Sequence, residues 1–259
     1  MEFSTETSTR GVAERDFSIS VGGTRVPGVM WAPDQQTEPR PVVLIGHGGT
    51  QHKRSPNVVS LGRRFVRRLG YVAVAIDAPE HGDRITDQDA ADRARHSLEA
   101  RLKGSGDVDQ SAPWGGERPL VEDTAAAAEE WRHVLDHLAE DADLTDGRFG
   151  YWGLSMGTLI GLPFVASDSR LSAAVLGLAG VSRGASRLHD AAQRLRTPIL
   201  FIVQWDDELV ARQQALALYD AIGSPVKTAH INRGGHVGTP AFERDDIDAF
   251  FARHLGRAQ

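Results

Sequence analysis

A serine bracketed by glycines constrains this chain more than any other feature. Gly153-Leu154-Ser155-Met156-Gly157 follows a strand-like run, 148–152, and precedes a helix-like run, 158–166. Between a strand and a helix, Gly-x-Ser-x-Gly places its serine in a strained turn. The residues two before and two after it pack too closely to carry side chains. Such a turn exposes the hydroxyl and aims the first N–H groups of the helix at whatever the hydroxyl meets. Alone, the pattern also describes a tight Gly/Ser turn without chemistry, so the rest of the chain has to separate the two.

The surrounding pattern predicts one α/β domain over residues 1–259. Runs 15–21 and 24–31, joined at Gly22-Gly23, predict a hairpin. Val42-Val43-Leu44-Ile45 and residues 71–76 are continuous apolar runs of the buried-strand type. Between them, residues 56–69 read as a helix with Val58, Leu61, Phe65 and Leu69 on one stripe and Arg63, Arg64, Arg67 and Arg68 outward. Further strands are predicted over 171–178, 198–203 and 225–231, and helices over 88–103, 122–138, 211–222 and 240–255. Residues 180–196 read as a short arginine-rich connection. The alternation predicts a three-layer α/β/α sandwich around a mostly parallel sheet of about eight strands. Residues 83–118 break the rhythm: they are charged and end in a Gly/Ser/Pro loop through Trp114. A connection that long reads as a lid touching substrate at Trp114, or as a solvated surface excursion.

Composition removes several alternatives. The chain has no cysteine, hence no disulfide, thiolate metal site or catalytic thiol. A net charge of −6 gives a nucleic acid no general electrostatic help. No apolar run approaches the ~20 residues that span a bilayer, and the first residues are polar, which predicts no secretion signal and a cytoplasmic location. Residues 46–54 follow a strand as a phosphate-binding loop would, but His52 stands where a glycine belongs and Arg54 where a magnesium-holding hydroxyl belongs. His133 and His137 have zinc-helix spacing, with Val134 where the motif needs glutamate. No dinucleotide fingerprint follows a strand. No cofactor and no metal are expected.

A serine hydroxyl is a weak nucleophile that needs a base, and the base needs an orienting carboxylate. In parallel α/β sheets these groups stand on loops past strand ends. After Ser155, the loop past 171–178 holds no acid. The loop past 198–203 reads Gln204-Trp205-Asp206-Asp207-Glu208-Leu209-Val210, and the loop past the last strand reads Asn232-Arg233-Gly234-Gly235-His236. His230 falls inside a strand and His254 inside a helix, which leaves His236 as the base. Either Asp206 or Asp207 could be the acid.

With these segments assembled, the chain resembles the α/β-hydrolases, most nearly the compact esterase and dienelactone-hydrolase-like members. The resemblance covers nearly the whole chain. It rests on Gly153–Gly157, Gly46-His47-Gly48-Gly49, Asp77-Ala78-Pro79-Glu80-His81-Gly82, Asp207-Glu208-Leu209-Val210 and Gly234-Gly235-His236. It implies Ser155 as nucleophile, His236 as base and Asp207 rather than Asp206 as acid. It implies the Met156 and Gly49 N–H groups as oxyanion donors, with Gly48 as the alternative to Gly49. His47 reads as structural, Trp152 as core, and Asp77 as part of a structural turn. Trp114, Trp205 and His81 are expected to border the substrate. His52, Lys53 and Arg54 read either as an acid-binding group or as a solvated loop. The expected reaction is cleavage of a carboxylic ester, with a lactone as a variant, by a monomer or homodimer acting on a small molecule. The alternatives are an acyltransferase or peptidase using the same groups, and a binding protein that has lost turnover.

Overall fold

The computed structural model describes residues 1–104, 120–181 and 186–256. Three strands open the chain: β1 (Glu2–Thr9), β2 (Val12–Val21) and β3 (Thr24–Pro33). Six more follow: β4 (Arg40–Gly46), β5 (Val72–Ile76), β6 (Thr145–Gly153), β7 (Leu171–Gly177), β8 (Ile199–Gln204) and β9 (Lys227–Asn232). All nine form one sheet in the order β1-β2-β3-β5-β4-β6-β7-β8-β9. The first three pair antiparallel with one another and with β5, and the remainder is parallel.

Both opening hairpins turn through left-handed pairs, Arg10 at φ 51 with Gly11 at φ 81, and Gly22 at φ 55 with Gly23 at φ 81. Two consecutive positive φ values give the twist that a two-residue hairpin needs. β1 is the strand beyond the eight expected. Its sequence, EFSTETST, is exposed along its whole length, so no hydrophobic alternation announced it, and its ladder to β2 holds it in place.

The helices divide between the faces. Helices α1 (Pro56–Leu69) and α7 (Glu243–Leu255) cover one face, where Phe65, Ile247 and Phe251 pack on Val43 and Ile45. Helices α3 (Leu120–Ala139), α4 (Met156–Ser167), α5 (Ser186–Arg194) and α6 (Arg212–Ala221) cover the other, where Trp131, Leu135, Phe164 and Leu218 pack with Val42 and Leu44. Successive residues of β4 point to opposite faces and both faces are roofed, so Val42, Val43, Leu44 and Ile45 are all fully buried. A continuous apolar run is what that placement demands. The stretch expected to be only a connection, 180–196, contains α5, which buries Ala191 and Ala192, with Leu195 buried just after it. Helix α2 (Gln88–Leu102) lies within 83–118; Trp114, named above as a substrate contact, falls outside the described residues. No helix among the described residues is long and apolar enough to cross a membrane.

Candidate active site

β6 ends at Gly153, and Ser155 sits at φ 58, ψ −120 as the residue before α4. A left-handed φ on a non-glycine residue costs of order 1–3 kcal/mol and persists only where surroundings over-determine it. They do so here. A Cβ on Gly157 would stand 2.5 Å from Gly46 O, and one on Gly153 would stand 2.6 Å from Gly157 O. The start of α4 is therefore jammed against the end of β4, and only glycine fits. The buried Tyr151 hydroxyl donates to Gly157 O at 2.8 Å, and Ser155 N–H donates to Gly177 O at 3.0 Å. Thr158 Oγ1 lies 2.8 Å from Gly153 O and 2.6 Å from Gly177 O, and accepts Gly177 N–H at 2.8 Å. Tyr151 and Thr158 were missed by sequence reasoning, since nothing local distinguishes them from other core residues.

His236 reaches this turn from the loop after β9. Its Nε2 is 2.9 Å from Ser155 Oγ and its Nδ1 is 2.8 Å from Asp207 Oδ2. The side chains of His236 and Asp207 are 9% and 3% exposed, so the contacts are shielded from water. Asp207 is fixed from behind: its Oδ1 accepts Leu209 N–H at 2.8 Å and Val210 N–H at 2.9 Å. Asp206 points elsewhere, with its Oδ2 accepting Gly234 N–H at 3.3 Å. It does not cap α6, whose N-cap is Ala211 without a side-chain bond. Glu208, which sequence reasoning passed over, accepts the backbone N–H of His236 at 2.7 Å.

The loop after β4 carries the glycines expected as oxyanion donors. Gly48 N–H is engaged by Gln51 Oε1 at 3.2 Å. Among the described residues, Gly49 N–H and Met156 N–H find no protein acceptor. The first N–H groups of any helix lack an intrahelical partner, which accounts for Met156. Gly49 and Met156 line the same cavity as Ser155 and His236, about 750 Å³ in volume. Leu98 and Leu102 of α2, Leu159, Val210 and Val237 give it apolar walls. Trp152, expected in the core, lines it as well. A second cavity of about 550 Å³ shares Gln51 and Met156 with the first and is bordered by His52, Glu80 and His81.

The two charges just beyond the oxyanion loop, Lys53 and Arg54, are spent on architecture. Lys53 is neither an acid-binding group nor solvated: it is 4% exposed, its Nζ lies 2.6 Å from both Asp77 Oδ2 and Asp83 Oδ2, and its N–H donates to Asp77 Oδ1 at 2.8 Å. Its ammonium holds the Asp83 carboxyl below the usual range. Arg54 pairs with Glu14 and Asp16 of β2. His47, 2% exposed, accepts Ala78 N–H on Nε2 at 3.0 Å, so its Nδ1 carries the proton toward Gly48 O at 2.8 Å. Burial first, and the neighbouring His81 second, push its pKa down to about 4. His81 lies against it, ring centres 5.2 Å apart, and borders the second cavity. Trp205 lines neither cavity: it is 39% exposed, with the Arg212 guanidinium 4.5 Å above its ring.

No protein-family model and no curated protein matches the chain. Solved structures do. A cold-adapted esterase from an Arctic intertidal metagenomic library, in a PEG-bound complex, is 35% identical over 98% of this chain and 100% of its own, with a TM-score of 0.79. Two more distant structures share the fold. The acetyl xylan esterase from Paenibacillus sp. R4 is 16% identical over 98% of this chain and 88% of its own, at a TM-score of 0.69. An S-formylglutathione hydrolase from Agrobacterium tumefaciens is 18% identical over 99% and 100%, at 0.66. With a mostly parallel sheet roofed on both faces and that identity to an esterase along its length, the chain belongs to the α/β-hydrolase esterases, enzymes that hydrolyse carboxylic esters.

Proposed function

We propose that the protein hydrolyses a small or medium-sized carboxylic ester, a lactone included, through an acyl-enzyme on Ser155. The observation that carries this reading is the unbroken line Ser155 Oγ, His236, Asp207, with contacts of 2.9 and 2.8 Å. His236 Nε2 takes the hydroxyl proton as Ser155 Oγ bonds to the ester carbon. The Gly49 and Met156 N–H groups receive the negative charge that develops on the carbonyl oxygen; losing one such donor costs roughly 10²–10³ in kcat. His236 then gives its proton to the departing alkoxide as the carbon–oxygen bond breaks. Water entering the cavity is deprotonated by the same nitrogen, attacks the acyl carbon and frees Ser155. Asp207 accepts Nδ1–H throughout, holding the tautomer and stabilising the imidazolium. In a lactone both products leave as one molecule by the same steps. Leu98, Leu102, Leu159, Val210 and Val237 give the 750 Å³ cavity apolar surface on which an aliphatic or aromatic acyl group can pack.

A fluorophosphonate probe and a chain-length series of p-nitrophenyl esters, run beside Ser155→Ala, test this. Labelling and turnover should both vanish in the variant, with kcat falling at least ~10⁴-fold. Labelling without ester turnover would move the reaction to a lactone, a peptide or a non-water acceptor. Full turnover in Ser155→Ala would refute the proposal.

A further inference from the structure

β8 and β9 run parallel and leave the sheet side by side, with Trp205 N–H donating to Asn232 O at 2.7 Å. Beyond that point the β8 side holds the β9 side by alternate residues. Gln204 Nε2 donates to Gly235 O at 3.2 Å. Asp206 N–H donates to Gly234 O at 3.1 Å, and its carboxylate accepts Gly234 N–H. Glu208 Oε2 accepts His236 N–H at 2.7 Å, the shortest of the set and the one at the base residue itself. Asp207, between them, is left to face the imidazole. A carboxylate accepting a backbone N–H makes a charge-assisted bond, about twice as strong as a neutral one.

Glu208 is itself exposed, so burial of its side chain contributes little to the fold. The Cα from which His236 projects does draw on it. Gly235 supports the same conclusion. A Cβ at Gly235 would meet only the Glu208 carboxylate as its nearest atoms, at 2.5, 2.8 and 3.0 Å, and its φ lies outside the left-handed region. The glycine leaves room for that carboxylate rather than for a special backbone shape.

We infer that Glu208 is a positioning residue: by gripping the His236 N–H it sets the imidazole between Ser155 Oγ and Asp207. The inference rests on the Ser155–His236–Asp207 reading above and adds a fourth residue to it. Misplacing a catalytic group by about 1 Å can cost roughly 10²-fold in rate, so a hydrogen bond at the base's own backbone controls kcat more than substrate binding.

The test uses the full chain, with active sites counted by fluorophosphonate labelling, and measures kcat and KM on a short p-nitrophenyl ester for Glu208→Ala, Glu208→Gln, Gly235→Ala and the double variant Glu208→Ala/Gly235→Ala. Glu208→Ala should lower kcat per labelled site about tenfold or more with KM within about twofold. Glu208→Gln keeps an acceptor oxygen and should stay within about threefold of the parent. Gly235→Ala should displace the carboxylate and match Glu208→Ala. The double variant should be no slower than either single one, because both break one contact. A purely structural role would reduce the number of labelled sites and leave kcat per site alone, and that result would overturn the inference. So would a normal kcat in Glu208→Ala, a Gln variant as slow as Ala, or multiplicative losses in the double variant. Should Glu208→Ala not fold, the Gln and Gly235→Ala variants decide. If Ser155→Ala keeps turnover, the underlying reading fails; if it is inactive while Glu208→Ala is normal, only the Glu208 inference fails.

Discussion

Ser155 and His236 lie 2.9 Å apart but are held by opposite means. The serine turn is backbone jammed on backbone: Gly157 against Gly46, Gly153 against Gly157, with buried Tyr151 and Thr158 bonding the carbonyls around them. The histidine loop is held across a gap, by the side chains of Gln204, Asp206 and Glu208 together with backbone bonds from Trp205 and Asp206. A jammed backbone cannot give way locally, so damage there spreads to the fold. A side-chain grip can be loosened by degrees, so damage there stays in the rate. On the reading proposed above Ser155 is the nucleophile, and its strained φ is sustained by that rigid packing. On the same reading His236 is the base and turns between Ser155, an alkoxide and water, so orientation matters more to it than rigidity.

Putting alanine into one glycine of each region is the sharpest way to break this contrast. Gly157→Ala drives a methyl into Gly46 O, a backbone atom that cannot swing aside, and should cost about 3 kcal/mol or more and abolish turnover. Gly235→Ala first meets a flexible carboxylate and should leave the melting temperature near the parent's. Equal losses of thermal stability in the two would end the contrast.

The next effect is smaller and falls wholly on the rate. Asp207→Asn should lower kcat roughly 10³–10⁴-fold by admitting the wrong tautomer of His236. Asp206→Asn, which keeps an acceptor near Gly234 N–H, should stay within about threefold. The reverse ranking, measured on one ester, would mean that the acid is Asp206.

The smallest effect concerns stability against pH. His47 is buried between the loop after β4 and the turn at Ala78, and its pKa is pushed down to about 4 from 6.5. The unfolded chain therefore binds the proton that the folded chain refuses. Stability is full above pH 6.5 and falls as pH drops toward 4, by up to about 3 kcal/mol from this residue. His81, whose pKa is also lowered by burial, adds in the same direction. Urea unfolding at pH 7.5 and pH 5 should show the loss, and His47→Gln should reduce the difference between the two conditions. An unchanged difference would assign the loss elsewhere.

What the sequence made legible follows from how local each signal is. The α/β alternation and the strand–turn–helix around Ser155 are contained within short stretches, and the structure has both. The loops holding Asp207 and His236 could be found because parallel strands deliver such groups at their ends. Asp206 and Asp207 could not be separated from neighbouring residues alone, since what distinguishes them lies across the gap to the β9 loop. β1 was invisible because a fully exposed strand needs no apolar alternation. α5 was hidden by its arginines, which mask Ala191 and Ala192. Lys53 read as a surface charge because its partners stand 24 and 30 residues away, at Asp77 and Asp83. Trp205 looked like a pocket wall from its place beside Asp207, but it is exposed, with the Arg212 guanidinium over its ring.

Whether turnover passes through an acyl group on Ser155 is tested by quenching the enzyme during turnover of an activated acetate ester and mapping the acetylated peptide by mass spectrometry. One acetyl group is expected, on Ser155, accumulating further when His236 is replaced by alanine after a slow acylation and released with wild-type turnover otherwise. Steady hydrolysis with no acetyl on Ser155, or with acetyl on another residue that turns over at the catalytic rate, would contradict an acyl-enzyme on Ser155.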